Sequence, residues 1–237
     1  MILFIKQIDI EGPETIGSFF QQKGYDIKVA ELYAGDSLPD NFNCLEAVIC
    51  LGGPMNVYEE EAFLFLKAEN DFIQKILQHE IPYMGICLGS QLLAKATEAE
   101  VVNSPQKEIG FSHIRLTADG KSDPLLKDIP ENVLVFQWHE DMFQIPQKGI
   151  LLAASEACPH QAFRIGPNAY GLQFHVEITD KSIREWSDRY FKDEKERDHK
   201  KQAMLKDYQT YQTKFDETAN MLYSNFLRII RRNKATL

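Results

Sequence analysis

Cys87 stands in the stretch "GICLGSQ", between Gly85 and Gly89, where the apolar run from Pro82 to Ile86 gives way to a helix-like pattern. A strand ending at Ile86, a sharp turn at Cys87 and a helix from Leu88 would push the central side chain out of a sheet edge into the open. The two glycines fall where side chains would collide. The helix start also favours a negative sulfur, because its unpaired N–H groups and its dipole face that way. The N–H of Leu88 would point to where an oxyanion forms. A thiol nucleophile needs a base, and the base needs an orienting group. "QFHVE" supplies His175 and Glu177, which share a face of a strand because side chains repeat every two residues. "QWHED" gives His139 and Asp141 the same spacing and stands as the rival base pair. In "CLGGPMN", Gly52 and Gly53 let backbone approach a ligand closely, so the loop can offer a second oxyanion donor. Each signal has an ordinary counterpart: a hydrogen-bonded structural histidine, or turn chemistry at GGP.

Other uses of these residue types are disfavoured. A zinc site would consume the thiol, and no Cys/His pair has close ligand spacing, so no metal or other cofactor is expected. Cys44, Cys50 and Cys158 read as small buried hydrophobes.

The elements that must hold these groups follow a βαβ syntax. "ILFIKQI", "YDIKVAEL", "LEAVICL" and "IPYMGI" are strand-like and alternate with helical patterns. "PETIGSFFQQKG" has Pro13 at a helix start and Gly24 at its end. "EEEAFLFLKAENDFIQKILQHE" reads as a helix with glutamates in its first turn. This alternation implies an α/β fold with a doubly wound, mainly parallel sheet and right-handed crossovers. From about Glu100 to Phe174, short strand-like pieces separated by Gly, Pro and Asp either extend the sheet or form an antiparallel flap on its edge. From Thr179 onward the pattern is helical. Met204, Tyr208, Tyr211, Phe215, Leu222, Phe226 and Ile229 recur at steps of three and four, a stripe expected to pack on the chain's own domain. The expected division is a domain over 1–179 and a helical extension over 180–237.

At 237 residues and 44% hydrophobic content the chain can bury one sizeable core. A formal net charge of -9 disfavours nucleic-acid and anionic-membrane partners. "MILFIKQIDI" lacks a charged leader and a small-residue cleavage site, and no apolar run approaches the ~18 residues of a membrane span, so a cytoplasmic location is expected.

Together, "GGPMNV", "GICLGSQ" and "QFHVE", in that chain order, resemble the class I (triad-type) glutamine amidotransferase family, whose glutaminase domains carry a GxCxGxQ elbow, a GGP-like oxyanion loop and a later HxE. The resemblance covers roughly Ile2 to Thr179 and implies a flavodoxin-like glutaminase fold. It implies attack of a cysteine on the side-chain amide of glutamine, with ammonia released and a γ-glutamyl thioester hydrolysed by water. Carried over, Cys87 is the nucleophile, His175 the acid and base, and Glu177 its orienter. The N–H groups of Gly53 and Leu88 form the oxyanion hole. Met55, Gln91, Trp138, His139 and Asp141 fall at substrate-binding positions, which makes His139 pocket wall. Many family members have a proline where Val176 stands here. That change removes a backbone restraint without touching the His–Glu pair. No synthetase or ATP-binding region follows the glutaminase-like part. Three functions are therefore open: a free-standing hydrolase of γ-glutamyl amides or peptides, a glutaminase subunit donating ammonia to a separate synthase chain, and a non-catalytic binding or regulatory protein on the same fold. The first is favoured, because every triad position is filled and no docking face beyond the helical stripe is evident.

Overall fold

Buried apolar runs become the first strands of the computed structural model, which describes residues 1–236. β1 (Ile2–Lys6), β2 (Ile27–Glu31), β3 (Ala47–Cys50) and β4 (Tyr83–Ile86) are joined through α1 (Glu14–Gln22) and α2 (Phe65–Gln78), and α3 (Leu88–Ala96) leaves the end of β4. Both faces of these strands are covered. Ile2, Phe4, Ile49, Met84 and Ile86 pack with α1, while Leu3, Ile5, Val48 and Tyr83 pack with α2 and α3. That two-sided burial explains why the strands read as continuous apolar runs rather than alternations. Pro13 precedes α1, and Gly24, at φ 80°, follows its end, as the sequence pattern predicts.

The rest of the sheet comes from β5 (Val101–Leu116), β6 (Asn132–Phe143), β7 (Gly149–Ala154), β8 (Ala162–Ile165) and β9 (Ala169–Leu172), with α4 (Ala118–Ser122) between β5 and β6. The strand order is β2-β1-β3-β4-β9-β8-β7-β5-β6. From β2 to β9 every pairing is parallel, and from β9 to β6 every pairing is antiparallel. The later strands thus extend the sheet and also form an antiparallel section. They curl until β6 meets the chain just beyond β9. There the N–H of His175 donates to the Phe136 carbonyl at 2.8 Å, and the N–H of Phe136 donates back at 3.1 Å.

α5 (Asp180–Tyr190) opens with a capping box between Thr179 and Ser182, and α6 (Glu194–Thr236) is one helix of 43 residues. The charged "KDEKERDHKKQ" is largely its first turns. Of the predicted stripe, Met204, Tyr208, Phe215, Leu222, Phe226 and Ile229 are buried, but Tyr211 is 39% exposed. α6 packs on α1, α5, β5 and β6. Among the described residues no helix is long and apolar enough to cross a membrane.

Two further expectations fail in this part of the fold. α2 begins at Phe65, so the glutamates lie in a turn before it. Asn56 and Glu59 organise that turn: Asn56 Oδ1 accepts from the Tyr58 N–H, Glu59 accepts from the Asn56 N–H, and Glu60 is drawn off to Lys95. Side-chain acceptors compete with the helix for its first donors. Cys44 is exposed rather than buried, while Cys50 and Cys158 are buried as expected.

Candidate active site

The parallel strands β1, β3, β4 and β9 are neighbours, and the loops from their carboxyl ends carry Glu11, Gly52 and Gly53, Cys87, and His175 with Glu177. Crevices beyond the carboxyl ends of parallel strands are the usual ligand sites of open α/β sheets. Here a cavity of about 420 Å³ is lined by Gly53, Met55, Cys87, Gln91, Trp138, His139, Asp141 and His175. Eight of the ten predicted residues therefore share one wall. Leu88 and Glu177 stand immediately behind it.

Cys87 adopts φ 50° and ψ −109°, a conformation L-residues rarely take. Packing explains the glycines two residues to either side of it. A Cβ on Gly85 would lie 2.2 Å from the Gly89 carbonyl oxygen, and one on Gly89 would lie 2.2 Å from the Cys50 carbonyl oxygen. Strand and helix therefore meet through bare backbone. The Cys87 N–H donates to the Leu172 carbonyl at 2.8 Å, tying the turn to β9. Its carbonyl accepts from the Ser90 hydroxyl at 2.6 Å. The predicted oxyanion residues touch: a Cβ on Gly53 would fall 2.9 Å from Leu88 Cδ2. The Leu88 N–H opens α3, where first-turn N–H groups have no partner inside the helix.

His175 and Glu177 do not sit in a regular strand. They lie past β9, held by the Phe136 bridge. The pairing is nevertheless tight, with His175 Nδ1 2.6 Å from Glu177 Oε1. Glu177 Oε2 accepts from the Val176 N–H at 2.9 Å. The backbone around the pair is pinned from two helices. Thr15 of α1 donates its N–H and its hydroxyl to the Glu177 carbonyl, and the Tyr223 hydroxyl of α6 donates to the Val176 carbonyl at 3.1 Å. Burial would pull the His175 pKa down. The charge of Glu177, with hydrogen bonding to Cys87 and Glu177, outweighs burial and holds it well above the ordinary value. A thiol, an imidazole and a carboxylate so arranged suit acyl transfer through a covalent intermediate.

The rival pair is used differently. His139 Nδ1 faces the Asp141 carbonyl at 3.0 Å and its Nε2 faces Glu108 at 3.2 Å, so both ring nitrogens have partners in the wall. The Asp141 carboxylate accepts from Asn56 and Asn103. Gln91 donates to the Asp141 carbonyl at 3.1 Å.

Among the cavity residues that escaped the sequence reading are Glu11, Trp186 and Tyr190. Glu11 lies in a loop with no periodic pattern. Trp186 and Tyr190 are four apart on α5 and so share a helix face, which was the one available signal. The Tyr190 hydroxyl donates to Glu11 Oε1 at 2.6 Å. Burial pushes the Glu11 pKa up, against that bond and the charge of His175.

Two buried clusters flank the site. Glu108, His139 and Cys158 bring potential ligand atoms within 4.8 Å of one another, which local spacing could not reveal. In this structure Glu108 is hydrogen-bonded to His139 and to Gln161. Beneath the elbow, Glu69 of α2 accepts from Gln7 at 2.8 Å and from the Cys50 thiol at 3.0 Å. Burial raises its pKa to about 7.

Residues 18–186 match the family model for glutamine amidotransferase class-I. The chain is 35% identical over 179 residues to the putative glutamine amidotransferase-like protein YfeJ of Salmonella typhimurium, an alignment covering 73% of this chain and 75% of that one. It is 34% identical over 135 residues to a glutamine-hydrolyzing GMP synthase of Bacillus velezensis, covering 56% of this chain but 24% of the synthase. The crystal structure of a glutamine amidotransferase from Thermotoga maritima superposes with a TM-score of 0.87 at 31% identity, covering 97% of both chains.

Proposed function

The chain belongs to the class I glutamine amidotransferase family, and on that premise we propose that it is a free-standing hydrolase that cleaves a γ-glutamyl amide through a thioester on Cys87. The Cys87 sulfur attacks the amide carbon, and the oxyanion is received by the N–H groups of Gly53 and Leu88. The C–N bond breaks as His175 gives its proton to the leaving nitrogen. Water, deprotonated by the same imidazole, then releases glutamate and restores the sulfur. Glu177 keeps the ring oriented and stabilises its cation. Gln91, Met55, His139 and Asp141 line the glutamyl side, and Trp138 borders both it and the leaving group. The observation that carries this reading is the convergence of a strained cysteine elbow and a 2.6 Å His–Glu pair on one cavity. The match to the Thermotoga maritima protein over 97% of both chains supports a unit of this extent. Four free cysteines fit a reducing cytoplasm.

The second reading, an ammonia donor to a separate synthase, is favoured by the similarity to GMP synthase. Steady-state glutamate release separates the two. The isolated protein is given glutamine or a γ-glutamyl dipeptide, with Cys87→Ala as blank. We expect dipeptide cleavage above glutamine, and a loss on the order of 10³-fold or more in the variant. Silence on both substrates, with Cys87 still labelled by a glutamine-like electrophile, would favour the donor reading. Undiminished turnover by Cys87→Ala would refute both.

A further inference from the structure

We infer that the part of the cavity beside His175 is an ammonium-binding subsite for the leaving group, so that the γ-glutamyl amide cleaved best is one whose leaving amine carries a positive charge; this rests on the hydrolase reading above. The group that protonates the leaving nitrogen must touch it, so whatever surrounds His175 on the cavity side surrounds the leaving group. One such neighbour is Glu11. A Cβ on Gly52 would meet Glu11 Oε2 at 2.4 Å and His175 Cε1 at 3.2 Å, so carboxyl and imidazole face the same glycine. A side chain at this first glycine of the GGP loop would push the Glu11 carboxyl aside and crowd the imidazole.

Glu11 is 7% exposed and lines the cavity. Tyr190 fixes its Oε1, and among the described residues no donor reaches Oε2. A buried carboxyl without its full set of donors is an acceptor for a ligand. The lining also holds three aromatic rings, and its lysine, Lys107, is ion-paired with Glu140. Trp138, Trp186 and Tyr190 line the same cavity, with Trp138 5.9 Å from Trp186 and 6.0 Å from Tyr190, and His175 lies 4.9 Å from Trp186. One carboxyl among three electron-rich rings is the chemistry that receives an ammonium group. A cavity of about 420 Å³ lies in the range of sites for whole small molecules, of roughly 300–1,000 Å³.

The same geometry is unsuited to delivering ammonia. A synthase consumes ammonia through its lone pair, and a carboxylate beside the leaving nitrogen retains it as ammonium, which has none. For an amine that is only released, this is no handicap. Amide and water give glutamate and a protonated amine, and no other reactant enters.

The test compares kcat/KM for glutamate release from mono-γ-glutamyl-1,2-diaminoethane, its neutral counterpart γ-glutamyl-n-propylamide, and γ-glutamylglycine. Wild type should prefer the diamine over the propylamide by roughly tenfold or more, with the glycine compound poorest. Glu11→Gln should bring the diamine-to-propylamide ratio close to one. Tyr190→Phe, which keeps the carboxyl but frees it, should lower the ratio partway and stands in should Glu11→Gln not fold. A wild-type preference for the neutral or anionic compound, or a ratio untouched in both variants, overturns the subsite. Failure to cleave any of the three while glutamine is hydrolysed overturns the hydrolase reading instead. The subsite is then judged by whether 1,2-diaminoethane slows alkylation of Cys87 by iodoacetamide in wild type and not in Glu11→Gln; equal rates reject it.

Discussion

Glu177 does two things to His175: it fixes the ring through a 2.6 Å contact, and its charge keeps the imidazole protonated to higher pH. Replacing it with glutamine keeps the shape and removes the charge. The His175 pKa then falls, so the alkaline limb of the kcat/KM profile, where the imidazolium is lost, moves to lower pH. We expect kcat/KM itself to drop on the order of 10²–10⁴-fold. A profile of Glu177→Gln with its alkaline limb unmoved would remove Glu177 from that role. At this scale the sequence was informative where residue types are local to a motif. Cys87 with its two glycines and His175 two before Glu177 announce themselves. Glu11 does not, because its partners Tyr190 and Gly52 come from α5 and from the loop after β3.

Helix α2 delivers a carboxyl into the floor of the site, where Glu69 meets the Cys50 thiol at the end of β3 and Gln7 just after β1. Gly53 and Gly89 press on the same side chains, Gln7 and Cys50. A carboxyl with pKa about 7 in the fold and an ordinary 4.5 when unfolded binds its proton more strongly when folded. Its contribution to stability is therefore fully present below about pH 4.5, declines as pH rises, and is gone above about pH 7. The shift corresponds to at most roughly 3 to 4 kcal/mol. Urea unfolding of wild type and Glu69→Gln at pH 5 and pH 8 should show the variant gaining on wild type as pH rises. A difference that does not change with pH would reject the assignment. β1 to β4 and the helices between them were legible as apolar runs and amphipathic patterns. The start of α2 was not, since Asn56 and Glu59 win the local donors that a helix would have used.

Over the whole molecule, α6 lies across α1, α5, β5 and β6, and through Tyr223 it reaches the carbonyl between His175 and Glu177. The antiparallel strands were recognisable one by one, but their curl was not. It is completed by Phe136 meeting His175, residues far apart in sequence whose pairing leaves no local pattern. Burial of Phe136 among Phe111, Trp138 and Trp186 supplies what the sequence does not show. That seam is a single reciprocal pair of backbone bonds, and the candidate base sits on it. Amide hydrogen exchange therefore gives a clock for the site that needs no substrate. The N–H groups of Phe136 and His175 should exchange together, at one rate and with one response to denaturant, because neither is protected unless the other is bonded. If His175 exchanged quickly while Phe136 stayed protected, the seam would not be a unit. Joint exchange measures how often the molecule spontaneously unzips its own candidate base from the sheet, an upper limit on how long that base stays aimed.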